Sequence, residues 1–278
     1  MANPVLHSLH YYPVKGMAGH DVSQRHPEPL GLRHDRRWML VDANGRFLSQ
    51  RQTPGLVHWR AELLGDVLQF IDRRDTTRVF RVERARSTER PRRSVTVWDD
   101  TFEAYHIDEP DVRELAAALG APAARLIYLG PGTARPLDSH YARGEEHTSL
   151  ADAFPYLLTN TASLNALNAH LGTALRMDRF RPNLVIRTDT PWAEDHWSGV
   201  QIGPHRFRID KPCGRCQVIT IDQQTGERRL EVLAGLSELR RRGNKVLFGV
   251  YGVWEGPADR ALRVGEAVRF GTKLPVPE

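Results

Sequence analysis

The sequence predicts an α+β fold that is predominantly β, arranged as two β-rich, barrel-like halves. Three observations point there. Short β-branched and aromatic runs recur along the whole length, and only three stretches carry apolar residues at helical spacing. No strand–helix–strand alternation is sustained, which argues against a parallel βαβ sheet. A length of 278 residues suits one large or two modest domains. A boundary is expected within residues 110–145, giving one domain at 1–120 and a second at 121–278.

In chain order, Val5–Tyr12 reads as a strand followed by the loop Pro13-Val14-Lys15-Gly16. Arg37–Val41 is a strand turned by Asp42-Ala43-Asn44-Gly45, with Arg46–Leu48 returning as a hairpin. Gly65-Asp66 joins Ala61–Leu63 to Val67–Phe70, and further strands are expected at Val79–Val82 and Ser94–Trp98. The charged run Glu83–Arg93 is a solvated loop. Asp111–Leu119 is a helix that Gly120 ends. Arg125–Leu129 is a strand, and the polar span Gly130–Glu146 reads as a mobile loop near a site. Pro155–Thr159 leads into a helix capped from Asn160 that carries Leu164, Leu167 and Leu171. Leu184–Arg187, a hairpin over Val200–Ile209, a helix over Leu230–Arg242, and strands at Val246–Trp254 and Leu262–Phe270 complete the chain.

Composition excludes several functions. With 40% hydrophobic and 26% charged residues the chain is an ordinary globular one. Its net charge of +5 is mild, and no helix-turn-helix, zinc-finger or RNP pattern accompanies it, so no nucleic-acid partner is expected. The opening MANPVLHSLHYYPVKG lacks a basic segment followed by an apolar core, and no apolar run is long enough to span a membrane. Two cysteines give no disulfide framework. A monomeric, cytoplasmic protein is the expectation.

Both cysteines stand in Lys211–Gly226, and Gln217–Asp222 behind them reads as a strand. Cys213 and Cys216 admit four readings. Zinc needs four ligands, and there is no second cysteine pair and no H-x₃₋₅-H downstream. A thioredoxin-like pair should open a helix, whereas this one opens a strand. Two buried reduced thiols form the third reading. The fourth is one thiolate on a soft, redox-active metal, with Arg215 favouring the charged sulfur. Spacing does not choose among them.

The surroundings do. Tyr12-Pro13-Val14-Lys15-Gly16, Asp35-Arg36-Arg37-Trp38, Ser49-Gln50-Arg51-Gln52, Phe180-Arg181-Pro182-Asn183, Ala193-Glu194-Asp195-His196-Trp197 and the cysteine loop follow one another in order. Together they resemble the MOSC-domain family (molybdenum cofactor sulfurase C-terminal domain) with its N-terminal β-barrel partner. Within it they are most similar to the mitochondrial amidoxime reducing component and bacterial counterparts. The resemblance runs from Tyr12 to about Phe270 and implies a MOSC-type β-barrel domain paired with an N-terminal one. It implies a molybdenum cofactor (Mo-molybdopterin) held between them. Cys216 matches the metal-ligating position, Arg181 and Asn183 match residues holding pterin and phosphate, and Lys15 and Arg36 match the phosphate side. Asp152 matches an acidic residue near the metal and is a candidate proton relay. Gly214 and Arg215 bring backbone and charge to the cofactor. His196 is read as structural.

The implied activity is reduction of N-hydroxylated compounds: hydroxylamines, amidoximes and N-hydroxylated base analogues. Some relatives continue into a ferredoxin-like domain. This chain has no four-cysteine iron–sulfur motif, so a separate ferredoxin- or flavin-type donor protein is expected. The alternatives are a sulfur (persulfide) or molybdenum-cofactor carrier using Cys216, and a module that only recognises a phosphorylated ligand. One departure from the family pattern is Gly16, where many relatives place serine.

Overall fold

The computed structural model describes residues 3–272 except 85, 134, 257 and 258. The second expected domain therefore ends beyond the described residues. The strands that matter are β1 (Val5–Tyr11), β2 (His20–Val22), β3 (Trp38–Val41), β4 (Trp59–Leu64), β5 (Val67–Asp72), β6 (Val79–Glu83), β7 (Arg92–Val97) and β8 (Asp100–Ile107). Helix α1 (Pro110–Ala118) and β9 (Arg125–Tyr128) follow, then β10 (Tyr156–Asn160), α2 (Thr161–Leu171) and β11 (Leu184–Arg187). The chain continues through β12 (Trp197–Ile202), β13 (His205–Gly214), α3 (Glu231–Arg240), β14 (Lys245–Trp254) and β15 (Val268–Thr272).

The fold is α+β and mostly β. One large sheet runs β2-β1-β11-β10-β14-β13-β12-β15, antiparallel except where β10 pairs β11. A four-stranded sheet runs β7-β8-β9-β3 and a three-stranded one β4-β5-β6. No closed barrel forms among the described residues. The ends of the large sheet instead meet through one bridge, Val5 to Ala267, with Leu6 N–H donating to Glu266 O and Val268 N–H to Pro4 O. The sheets do not respect the 120/121 boundary. β1 and β2 belong to the large sheet, and β9 pairs with β3 in the small one.

Local chemistry explains the elements. Pro110 opens α1, which buries Val112, Leu115 and Ala116. The Asn160 side chain accepts from the Ala162 N–H at the start of α2, satisfying a donor that the helix leaves unpaired. A β-carbon on Gly235 would lie 2.3 Å from Leu171 Cδ2, so glycine there lets α3 close on α2. One core gathers Trp38, Trp59, Phe70, Leu115 and Leu126; a second, under the large sheet, holds Tyr156, Leu158, Ile186, Phe207 and Val250. Each such side chain contributes about 1.5–3 kcal/mol by leaving water.

Four expectations need correction. Gln217–Asp222 is not a strand: Gln217–Thr220 forms a 3-10 turn, and Ile221 makes only an isolated bridge to Arg228. The strand lies before the cysteines, in β13. Arg46 and Phe47 make single bridges rather than a hairpin strand, and Trp98 leaves β7 to enter a turn. The span 130–146 is anchored rather than free. Arg135 is 2% exposed and donates to the backbone oxygens of Ser149, Ala151 and Asp152.

Candidate functional site

One cavity of about 830 Å³, its open mouth included, collects all eight residues singled out from the sequence. Lys15, Arg36, Asp152, Arg181, Asn183, Gly214, Arg215 and Cys216 all line it, although they come from segments spread over 200 positions of chain.

The N-terminal wall is built on turns. Lys15 N–H donates to Trp38 O at 2.8 Å, and Gln50 Nε2 donates to Gly16 O at 2.7 Å. Gly16 has φ +86°, and a β-carbon there would sit 3.1 Å from Leu56 Cδ1. A serine in this backbone would be strained. Arg36 also has a left-handed backbone, φ +48°. Its Nη1 donates to Asp35 Oδ2 at 2.5 Å and Asn183 Oδ1 at 3.2 Å, and its Nη2 to Arg181 O at 2.9 Å. Burial alone would lower its pKa; Asp35 and Tyr12 more than reverse that, so Arg36 stays charged.

The opposite wall carries Arg181, left-handed at φ +54°. Its guanidinium stacks on Tyr12 at 4.3 Å, as does that of Arg36. Burial brings its pKa down to about 10, still charged at neutral pH. Nη1 donates to Gln223 Oε1 at 3.2 Å, while the buried Nη2 has no partner. Asn183 is occupied by the protein: Oδ1 accepts from Arg36 and from Leu157 N–H, and Nδ2 donates to His10 O. Its amide thus fixes Arg36 and the strand ends.

Both cysteines are free. Cys213 is 1% exposed, and Cys216 is partly exposed and lines the cavity. Pairing of Gly214 with Leu247, and the Arg215 N–H bond to Val246 O at 2.7 Å, tie the loop to β14. Arg215 donates from Nη1 to Cys213 Sγ at 2.9 Å and from Nη2 to Phe180 O at 2.9 Å. Burial opposes its charge, but Cys213, Tyr251 and Cys216 together push its pKa up. Among the described residues no three His, Cys, Asp or Glu side chains are placed to hold a metal. The protein by itself offers a metal here one thiolate.

Asp152 takes the Lys15 ammonium at 2.5 Å. Crowding by protein atoms would raise its pKa, yet Lys15, then Arg36 and Arg215, hold the carboxyl far below the usual range. For Lys15 the balance runs the other way: burial lowers its pKa despite Asp152. The carboxylate keeps 53% of its side-chain surface accessible. Lys15, Arg36, Arg51, Arg181 and Arg215 therefore face one lining carboxylate, an excess that suits an anionic ligand.

Sequence reasoning passed over Tyr12, which separates the two arginines, and Arg135, which fixes the Asp152 backbone. It also passed over Trp98 on the rim. Tyr12 opens a quoted motif but had no assigned role, and no motif marked Arg135 or Trp98. Arg51 stood in a noted arginine stretch but had no assigned role. His196 is exposed and stands apart from the cavity, while Glu194 beside it is buried and bonded to Asn160 and Ser163.

Comparison with known proteins agrees with this architecture. Residues 3–121 match the MOSC N-terminal beta barrel domain and residues 145–269 match the MOSC domain. The molybdenum cofactor sulfurase of Drosophila mojavensis is 31% identical over 252 residues, covering 89% of this chain and 32% of the relative. That of Homo sapiens is 31% identical over 273 residues, covering 89% and 30%. The chain thus spans about a third of the length of these relatives. A crystal structure of the YUAD protein from Bacillus subtilis gives a TM-score of 0.41 at 8% identity, covering 96% of this chain and 94% of that one. This chain belongs to the MOSC-domain proteins that carry the N-terminal beta barrel domain.

Proposed function

We propose that the cavity binds the molybdenum cofactor and that Cys216 is the sulfur presented to it. The observation that supports this most is the meeting of five cationic side chains with one accessible thiol in a single pocket. A phosphate monoester suits Lys15 and Arg36, and the unpartnered Nη2 of Arg181 is a donor in want of an acceptor. Asn183 orients Arg36, and Arg215 supplies positive charge to the same pocket. A lone thiolate cannot complete a metal's coordination, so the cofactor would have to supply the remaining ligands itself. When bound, the cofactor supplies redox chemistry at molybdenum.

Two readings of that site differ in what happens to Cys216. In the first it handles sulfur or cofactor, as a persulfide or as a carrier, and the relatives named molybdenum cofactor sulfurase favour this one. In the second the chain is an enzyme that reduces N-hydroxylated compounds with electrons from a separate ferredoxin- or flavin-type protein. The Asp152 carboxylate favours the second, because it keeps 53% of its side-chain surface accessible and can accept a hydrogen bond from a substrate N-hydroxyl group. Protein purified from a cofactor-making host separates them through molybdenum and pterin content, the mass of the Cys216 peptide, and benzamidoxime turnover with an artificial donor. A persulfide increment on Cys216 without turnover selects sulfur handling; turnover lost in Cys216→Ser selects reduction. Wild-type protein that retains neither metal nor pterin overturns the proposal.

A further inference from the structure

A tryptophan occupies a turn position that suits glycine. Val97 pairs with Asp100 across the β7–β8 hairpin, leaving Trp98 and Asp99 as its two-residue turn. Of these two, Trp98 alone has positive φ, +56°. Two-residue turns of that kind favour glycine at their first position, because a β-carbon crowds the backbone there. Folding gains little in return, since the indole is 38% exposed, one of four large apolar side chains so exposed among the described residues. Strain at a rim residue that the core does not need points to a ligand.

Its neighbours describe that ligand. The Arg51 guanidinium lies over the indole at 4.4 Å, and the Phe47 ring stands 5.3 Å away, tilted by 58°. The indole N–H donates to Asp152 Oδ1 at 3.4 Å, the same oxygen that takes the Lys15 ammonium. Trp98 also borders the cavity and two adjoining grooves.

We propose that Trp98 is a specificity platform for a flat, conjugated small molecule. Such a molecule stacks on the indole at the rim and turns its polar substituent toward Asp152 and Lys15. The inference rests on the reading of the cavity as the cofactor site with its substrate entrance at this rim. It narrows the substrate class to aryl or heteroaryl N-oxygenated compounds over aliphatic ones. Stacking on an aromatic face polarised by a guanidinium gives a preference of roughly tenfold.

The test compares the affinities of benzamidoxime and acetamidoxime, by calorimetry or saturation-transfer NMR, on protein with and without bound cofactor. Wild type should favour the aryl compound about tenfold. Trp98→Gly should bring the ratio close to one, and Trp98→Phe should keep most of it. Trp98→Gly should also melt at the same temperature or higher, because glycine suits the turn. An undiminished aryl preference in Trp98→Gly overturns the proposal, and so does a cofactor-loaded wild type that shows no preference. A chain that binds no molybdenum yet keeps a Trp98-dependent preference sinks the cofactor reading and leaves the platform standing.

Discussion

Arg36 and Arg181 lie on either side of the Tyr12 ring, each with its guanidinium 4.3 Å from the centroid and each in a left-handed backbone. Their surroundings are opposite. Arg36 has its charge met by Asp35, a carboxylate with no exposed surface, and both ends of its fork bonded. Arg181 has a buried nitrogen without a partner, and its pKa is pulled down where that of Arg36 is pushed up. The first wall is satisfied within the fold. The second is left wanting an anion, so of two similar arginines one offers the ligand its charge from a position fixed by the fold and the other offers a free donor as well.

Three measurements break or sharpen that contrast. The largest effect belongs to Arg36→Ala, which strands the Asp35 carboxylate in the interior. Urea unfolding should show a loss of about 3–5 kcal/mol, and a loss under 1 kcal/mol would show that this wall is not held by the pair. Next, Arg181→Gln should leave stability within about 1 kcal/mol of wild type but cut retained molybdenum and pterin about tenfold. Equal retention in both proteins would return Arg181 to the scaffold.

The smallest effect concerns His34, a left-handed residue two positions before Arg36 at φ +65°. Burial, then the nearby Arg25, lowers its pKa to about 4 from 6.5. The unfolded chain therefore takes up this proton first, and stability falls as pH drops from 6.5 through 4. His34→Asn, which tolerates the same backbone, should match wild type at pH 7 and exceed it by about 1 kcal/mol at pH 5. Parallel melting curves for the two proteins across that range would remove His34 from the acid sensitivity of this wall.

Much of the site was legible because its residues sit in short loops with distinctive order, and those loops converge on one cavity. The partners that hold them were not legible. Asp35 to Arg36 is a sequence neighbour, but Tyr12 between two arginines and Arg135 under Asp152 are contacts made only by the tertiary fold. The stretch after Cys216 misleads for a different reason. Ile219 and Ile221 are both fully buried, which a strand with alternating faces also requires, so periodicity alone could not separate strand from 3-10 turn. Strand β8 escaped notice because its hairpin turns on Trp98-Asp99, without the glycine or asparagine that marks such turns. The residue that hid the hairpin is the one that gives the rim its shape.

The position of β1 has a consequence for biosynthesis. On one flank, Val5 through Leu9 pair with Arg187 through Leu184, nearly two-thirds of the chain later. A ribosome delivering this protein releases that first strand long before β11 exists, and its apolar face, with Leu6 and Leu9, must wait. Cutting the chain into its two matched segments would strand β1 on the wrong fragment, so the halves should be made, and should refold, as one piece.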